Sequence, residues 1–171
     1  MKPKSQQRLN LFTWGNPSRG DDAIGPRLHQ IIKQWIADLS LTNVQLIEDF
    51  QLQPEHVFDI DEDACVLFID ASYQGDRAYQ ITEINKAEAF SYTTHSLSPE
   101  ALLTLYEKIQ NKAAPPAFLC SIRGYNFDFD TSLSIQAEEN IKLSAQFLKK
   151  LLTSSTPLQL LQDAALGQCY A

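Results

Sequence analysis

Leu9-Asn10-Leu11-Phe12-Thr13-Trp14, then Gly15-Asn16-Pro17-Ser18-Arg19-Gly20-Asp21-Asp22, then Ile24, Leu28, Ile31, Ile32, Trp35, Ile36 and Leu39 at helical spacing form the stretch that decides the fold. A short apolar run, a polar turn bearing glycines and an amphipathic helix make a β-loop-α opening. The same alternation continues downstream. A second strand is predicted over residues 44–47, and a short helix over residues 54–60 with Pro54 at its first position. Cys65-Val66-Leu67-Phe68-Ile69 is an unbroken apolar run ending in Asp70, the pattern of a central strand covered on both faces. Residues 79–84 alternate as a strand does, after a turn at Gln74-Gly75-Asp76. Ser98-Pro99 reads as an N-cap with proline behind it, and Leu102, Leu103, Tyr106 and Ile109 supply the helix's apolar face. Residues 117–122 give the last strand. Ala137, Ile141, Ala145, Leu148 and Leu152 stripe a last helix, with Glu138 and Glu139 near its start and Lys149 and Lys150 near its end, as the helix dipole favours. Strands alternating with helices predict an α/β protein, a three-layer α/β/α sandwich around a mostly parallel central sheet.

The 171 residues, 44% hydrophobic and 20% charged, suit one domain over residues 1–171, with a core over about 9–152 and a C-terminal tail of some helical character over about 153–171. No run of about 18 apolar residues is present, and residues 1–7 are polar, so a cytoplasmic protein without a membrane partner is expected. A formal charge of −7 repels phosphate backbones and anionic lipid, which argues against nucleic acid and favours a protein or metal partner. Cys65, Cys120 and Cys169 are scattered and have no C-x-x-C spacing; Cys65 and Cys120 read as small core residues.

In an open α/β sheet, ligands gather beyond the carboxyl ends of the strands. Asp21 and Asp22 stand there, after the first strand, and Asp70 ends the central one. The simpler alternatives are that one of the pair caps the helix and that Asp70 is a turn former satisfied by nearby backbone N–H groups. His95, in the polar segment before the third helix, adds an imidazole, and one imidazole with two carboxylates makes an N/O site for a divalent first-row metal. His29 and His56 fall on helices and read as surface or packing residues. The first turn has neither G-x-G-x-x-G nor G-K-[ST], and no G-x-S-x-G occurs, which leaves dinucleotide, P-loop and serine-hydrolase chemistry without a motif.

The segment from Gly15 through Asp21-Asp22-Ala23-Ile24-Gly25-Pro26 resembles the opening signature of the hydrogenase maturation peptidases, G-N-x-x-x-x-D-[DE]-x-x-G after the first strand. Gln51-Leu52-Gln53-Pro54-Glu55, Ile69-Asp70-Ala71, the run from His95 through Leu103, and Ile122-Arg123-Gly124 with Leu133-Ser134 resemble the same family in the same order, over residues 9 to 152. The resemblance implies a phosphorylase/hydrolase-like α/β/α fold. It further implies an endopeptidase that recognises nickel in the precursor of a nickel-iron hydrogenase large subunit and removes its C-terminal extension. The details look most like the subgroup serving bidirectional, NAD-linked or similar soluble hydrogenases. Carried over by position, the metal-contacting acids fall on Asp22 and Asp70 and the histidine on His95, and these three would also carry the catalysis. The nickel would come with the substrate rather than stay bound. Asp21 is a candidate to support the ligands from behind; Asn16 and Arg123 are candidate substrate contacts, with Asn16 equally a holder of the turn and Arg123 equally a surface residue. Relatives often have Glu where Asp22 stands, and some have Gly-Gly where this chain has Asp49-Phe50. The competing readings are a non-enzymatic nickel-binding or scaffold protein on the same fold, and an unrelated hydrolase with a permanent metal of its own.

Overall fold

The computed structural model describes residues 7–84 and 97–167. Five strands form one sheet: β1 (Arg8–Trp14), β2 (Val44–Asp49), β3 (Ala64–Ser72), β4 (Tyr79–Glu83) and β5 (Ala117–Arg123). Their order is β2-β1-β3-β5-β4; the first four neighbours run parallel and β4 lies antiparallel on the β5 edge. The helices are α1 (Ile24–Asp38), α2 (Pro99–Gln110), α3 (Ile135–Leu152) and α4 (Pro157–Ala165), with short 3-10 segments at Gly20–Ala23 and Pro54–Phe58.

Strand alternation sends successive side chains to opposite layers. Leu9, Leu11, Cys65, Leu67, Ile69, Cys120 and Ile122 pack on one face with Ile24, Leu28 and Ile32 of α1 and with α3 and α4. Phe12, Val66 and Phe68 face the other way, against Leu102, Leu103 and Tyr106 of α2 and against Val57. This is the expected three-layer arrangement, and β3 is its central strand. Cys65 and Cys120 are fully buried, and burial pushes both thiols up to about 12, so neither is a ready nucleophile. Cys169 lies outside the described residues.

Two segments differ from the sequence reading. The helix opened by Pro54 is a single 3-10 stretch ending at Phe58, with Gln53 and His56 forming a reciprocal cap at its start. The segment beyond residue 152, read as a tail with some helical character, forms α4, whose Leu161 and Ala164 are buried against the sheet side of the core. Pro157 starts this helix, and its nine residues carry too short an apolar stripe to stand out in the sequence.

Ile32 has no exposed surface, so Ile32→Ala should remove about 2–5 kcal/mol of stability through a cavity under α1. Urea denaturation followed by circular dichroism measures this; a loss under 1 kcal/mol would show that the α1 face is not the packed core described.

Candidate functional site

All four parallel strands end on the same edge of the sheet. The chain passes from β1 to β2 on one side and reaches β3 on the other, so a topological switch point opens between β1 and β3, where a ligand crevice is expected. The backbone enlarges this crevice. β1 stays paired with β3 only as far as Thr13 and Ile69, whereas β3 continues beside β5 through Asp70, Ala71 and Ser72. The flank of Asp70 toward β1 is therefore left to the loop that carries Asp22.

That loop has a defined construction. Asn16 N donates to Asp22 Oδ2 at 2.7 Å, and Ser18 N donates to Asn16 Oδ1 at 2.9 Å, so Asn16 holds the turn by both its backbone and its side chain. Gly15 has φ +144°, and a Cβ there would overlap the carbonyl of Asp22. Gly25 meets Trp14 O in the same way, which allows α1 to start directly against the end of β1. Neither aspartate caps a helix: no side-chain cap bond is made at the start of the 3-10 segment or of α1.

The two adjacent aspartates do different work. Asp21 is fully buried, and its carboxylate accepts from Tyr125 N at 2.6 Å, Asn126 N at 3.0 Å, Ser134 N at 2.7 Å and Ser134 Oγ at 2.8 Å. Burial by itself would raise its pKa, but the hydrogen bonds from Ser134, Asn126 and Tyr125 outweigh burial and hold it below the ordinary range. Asp21 thus ties the first loop to the segment between β5 and α3, a role that a pair of adjacent aspartates in the sequence does not disclose. Asp22 is partly exposed.

Asp70 is also partly exposed, at the edge of the sheet. Burial raises its pKa to about 7, against the lowering effect of the Ala71 N–H, and the negative charge of Asp22 pushes in the same direction as burial. The two carboxylates are therefore near enough to feel each other. Two neighbouring negative charges favour a cation nearby. By alternation Asp70 follows Val66 and Phe68 onto the α2 side of the sheet, over an aromatic floor in which Phe12 and Phe68 stack at 5.2 Å and Trp14 meets Phe68 edge-on at 6.1 Å. Arg123 ends β5 opposite Ser72, with its guanidinium 5.2 Å from the centre of the Tyr125 ring. His95 lies outside the described residues. Among the described residues no group of three or more His, Cys, Asp or Glu is placed to hold a metal ion.

The sequence reading left the two described histidines out of the site, and both have structural partners. His29 Nδ1 lies 3.2 Å from Thr13 Oγ1 and its Nε2 lies 3.5 Å from Glu48. His56 is buried, accepts from Gln53 N at Nδ1 (3.0 Å), and turns Nε2 to Asp49 at 3.5 Å. Consecutive acids at the end of β2 thus reach histidines on opposite faces of the sheet.

This architecture, a mostly parallel α/β/α sandwich, is shared with solved hydrogenase maturation proteases. A nickel-iron hydrogenase maturation protease from Thermococcus kodakarensis superposes with a TM-score of 0.68 at 19% identity, over 88% of this chain and 96% of that one. A hydrogenase maturating endopeptidase from E. coli gives 0.64 at 16% identity, over 82% and 89%. A hydrogenase 2 maturation peptidase from a Thaumarchaeota archaeon gives 0.57 at 19%, over 85% and 98%. This chain has their fold. No protein-family model matches the sequence, and no curated protein is recognisably similar to it. No helix among the described residues is long and apolar enough to cross a membrane.

Proposed function

We propose that this chain is a hydrogenase maturation endopeptidase, which recognises nickel in the large-subunit precursor of a nickel-iron hydrogenase and removes its C-terminal extension. The observation that carries this reading is the maturation-protease fold, and in support of it the charge of Asp22 reaches Asp70 and raises its pKa. Two carboxylates whose charges oppose each other gain from a divalent ion between them, and oxygen donors with one imidazole suit a first-row metal. His95 is the proposed nitrogen donor. Leu97, two residues on, packs against the cluster that contains Phe68, on the layer toward which Asp70 is directed. Asp22, Asp70 and His95 would hold the precursor through its nickel, with the scissile peptide in the crevice and a carboxylate taking the proton of the attacking water. Asn16 fixes the loop that presents Asp22, and Arg123 at the end of β5 is a proposed substrate contact. The proposed setting is the cytoplasm.

A site of three ligands, two of them carboxylates, lacks the closed cage that retains a metal alone, so nickel should bind the free protein weakly and act as a mark of substrate maturity. The expected results are weak heat on calorimetric titration of nickel into the protein, and cleavage of nickel-loaded but not nickel-free precursor. Equal cleavage of the two forms would remove nickel as the recognition signal.

A further inference from the structure

The loop that carries Asp22 is shaped from outside itself. Asp21 N donates to Asn126 O at 2.7 Å, Gly20 N to Thr131 O at 3.1 Å and Asp130 N to Ser18 O at 2.7 Å, so residues 18–21 and the segment between β5 and α3 hold each other by backbone bonds in both directions. The two run too close for a Cβ at Gly20, which would lie 2.4 Å from Asn126 O, or at Gly124, which would lie 2.8 Å from Asp21 Cβ. Asp22 is the next residue after this seam. Its own N–H stays within the loop, on Arg19 O at 3.0 Å, and its carboxylate accepts from Asn16 N at 2.7 Å. Its place therefore depends on how Asp21 is held.

Ser134 fixes Asp21 to a rigid element. Its N–H donates to Asp21 Oδ1 at 2.7 Å and its hydroxyl to Oδ2 at 2.8 Å, so one residue sets the plane of the carboxylate. The same hydroxyl accepts from Ala137 N at 3.1 Å as the N-cap of α3, an 18-residue helix whose Ile141, Leu148 and Leu152 lie in the core. A cap needs only an acceptor, which serine, threonine, aspartate or asparagine supplies. Here one oxygen accepts from the helix and donates to Asp21 at once, and only a hydroxyl does both through a single atom. The line of contact runs from the packed helix through Ser134 and Asp21 to Asp22.

We propose that Ser134 is a positioning residue for the processing reaction: through Asp21 it sets where the Asp22 carboxylate stands, in addition to capping α3. The inference rests on the endopeptidase reading for its kinetic consequence, while the placement of Asp22 is a property of the free protein. Loss of the hydroxyl leaves Asp21 the backbone donors of Tyr125, Asn126 and Ser134, so the fold survives, but the carboxylate plane is released. A displacement of about 0.5 Å at a reacting group costs about tenfold in rate.

The test compares Ser134→Ala with Ser134→Thr, which keeps the hydroxyl, and with Ile141→Val, which weakens the same helix away from the loop. The alanine and valine variants should each lower Tm by about 2–5 °C. Amide NMR of the free protein reads the placement, because the Asn16 N–H is bonded to the Asp22 carboxylate: Ser134→Ala should move that resonance and Ile141→Val should leave it in place. With nickel-loaded precursor, Ser134→Ala should lower kcat about tenfold with KM within about threefold, and the other two variants should keep kcat within about twofold of wild type. An Asn16 amide that moves no further in Ser134→Ala than in Ile141→Val, equal kcat for those two variants, or a threonine variant as slow as the alanine one would overturn the positioning role and leave Ser134 a helix cap. A wild-type protein that processes no precursor would count against the endopeptidase reading, and the amide comparison would then decide the placement of Asp22 by itself.

Discussion

Asp70→Asn is expected to abolish precursor processing, by about 100-fold or more, and at the same time to make the folded protein more stable at pH 8. The two effects share a cause. Burial and the neighbouring Asp22 charge raise the folded-state pKa of Asp70 to about 7. Between the unfolded value near 4 and that folded value, the native state binds more protons than the unfolded chain, so stability falls as pH rises through this window. Above it, the folded protein carries a carboxylate that its surroundings disfavour. An amide of the same shape relieves this cost, and after allowance for the partial exposure of Asp70 the gain is about 1–3 kcal/mol at pH 8, vanishing near pH 4. Chemical denaturation at both pH values, beside a processing assay at equal folded concentration, checks the pair of effects. A variant that processes normally would remove Asp70 from the site, and one that is less stable than wild type at pH 8 would show that the carboxylate is not under strain.

The second large effect separates two neighbours in the chain. Asp21→Ala should cost about 3–5 kcal/mol, because it strands the buried donors of Tyr125, Asn126 and Ser134 that its carboxylate satisfies. Asp22→Ala loses a hydrogen bond from Asn16 N at a partly exposed position, and should cost about 1 kcal/mol while eliminating processing. The depressed pKa of Asp21 adds a pH signature: its contribution is complete above the unfolded aspartate value and is lost as pH falls through the lower folded one. Acid unfolding of wild type should therefore begin below about pH 4, and Asp21→Asn should lose that transition's dependence on Asp21. Similar stability losses for Asp21→Ala and Asp22→Ala would contradict the division of labour between them.

Much of the fold was legible because its signals are local. β3 announces itself by five consecutive apolar residues, and α2 by Ser98, whose hydroxyl accepts from Ala101 N as a cap should. The elements least visible were those that tertiary contacts create. α4 shows only some helical character in the sequence, and what fixes it is the burial of Leu161 and Ala164. The site divides similarly. Asp70 could be picked out because it stands where an apolar run ends; of the acid pair at the first helix start, only the family resemblance preferred Asp22, whose charge raises the pKa of Asp70. The structural duty of Asp21 could not be read, since its partners lie more than a hundred residues away in the chain. The pairing of His29 with Glu48 and of His56 with Asp49 was hidden likewise: strand alternation sends consecutive acids of β2 to opposite layers, and nothing in the sequence states what waits on each.

The endopeptidase reading itself is tested most directly by the mass of the product. Purified protein is incubated with a nickel-loaded large-subunit precursor, and the intact mass of the precursor is followed over time, with Asp70→Asn as the inactive comparison. The account predicts a single loss of mass equal to a C-terminal segment, released by wild type and not by Asp70→Asn. A precursor that binds the wild-type protein and keeps its full mass would contradict the account and identify the chain as a nickel-sensing or scaffold protein on the maturation-protease fold.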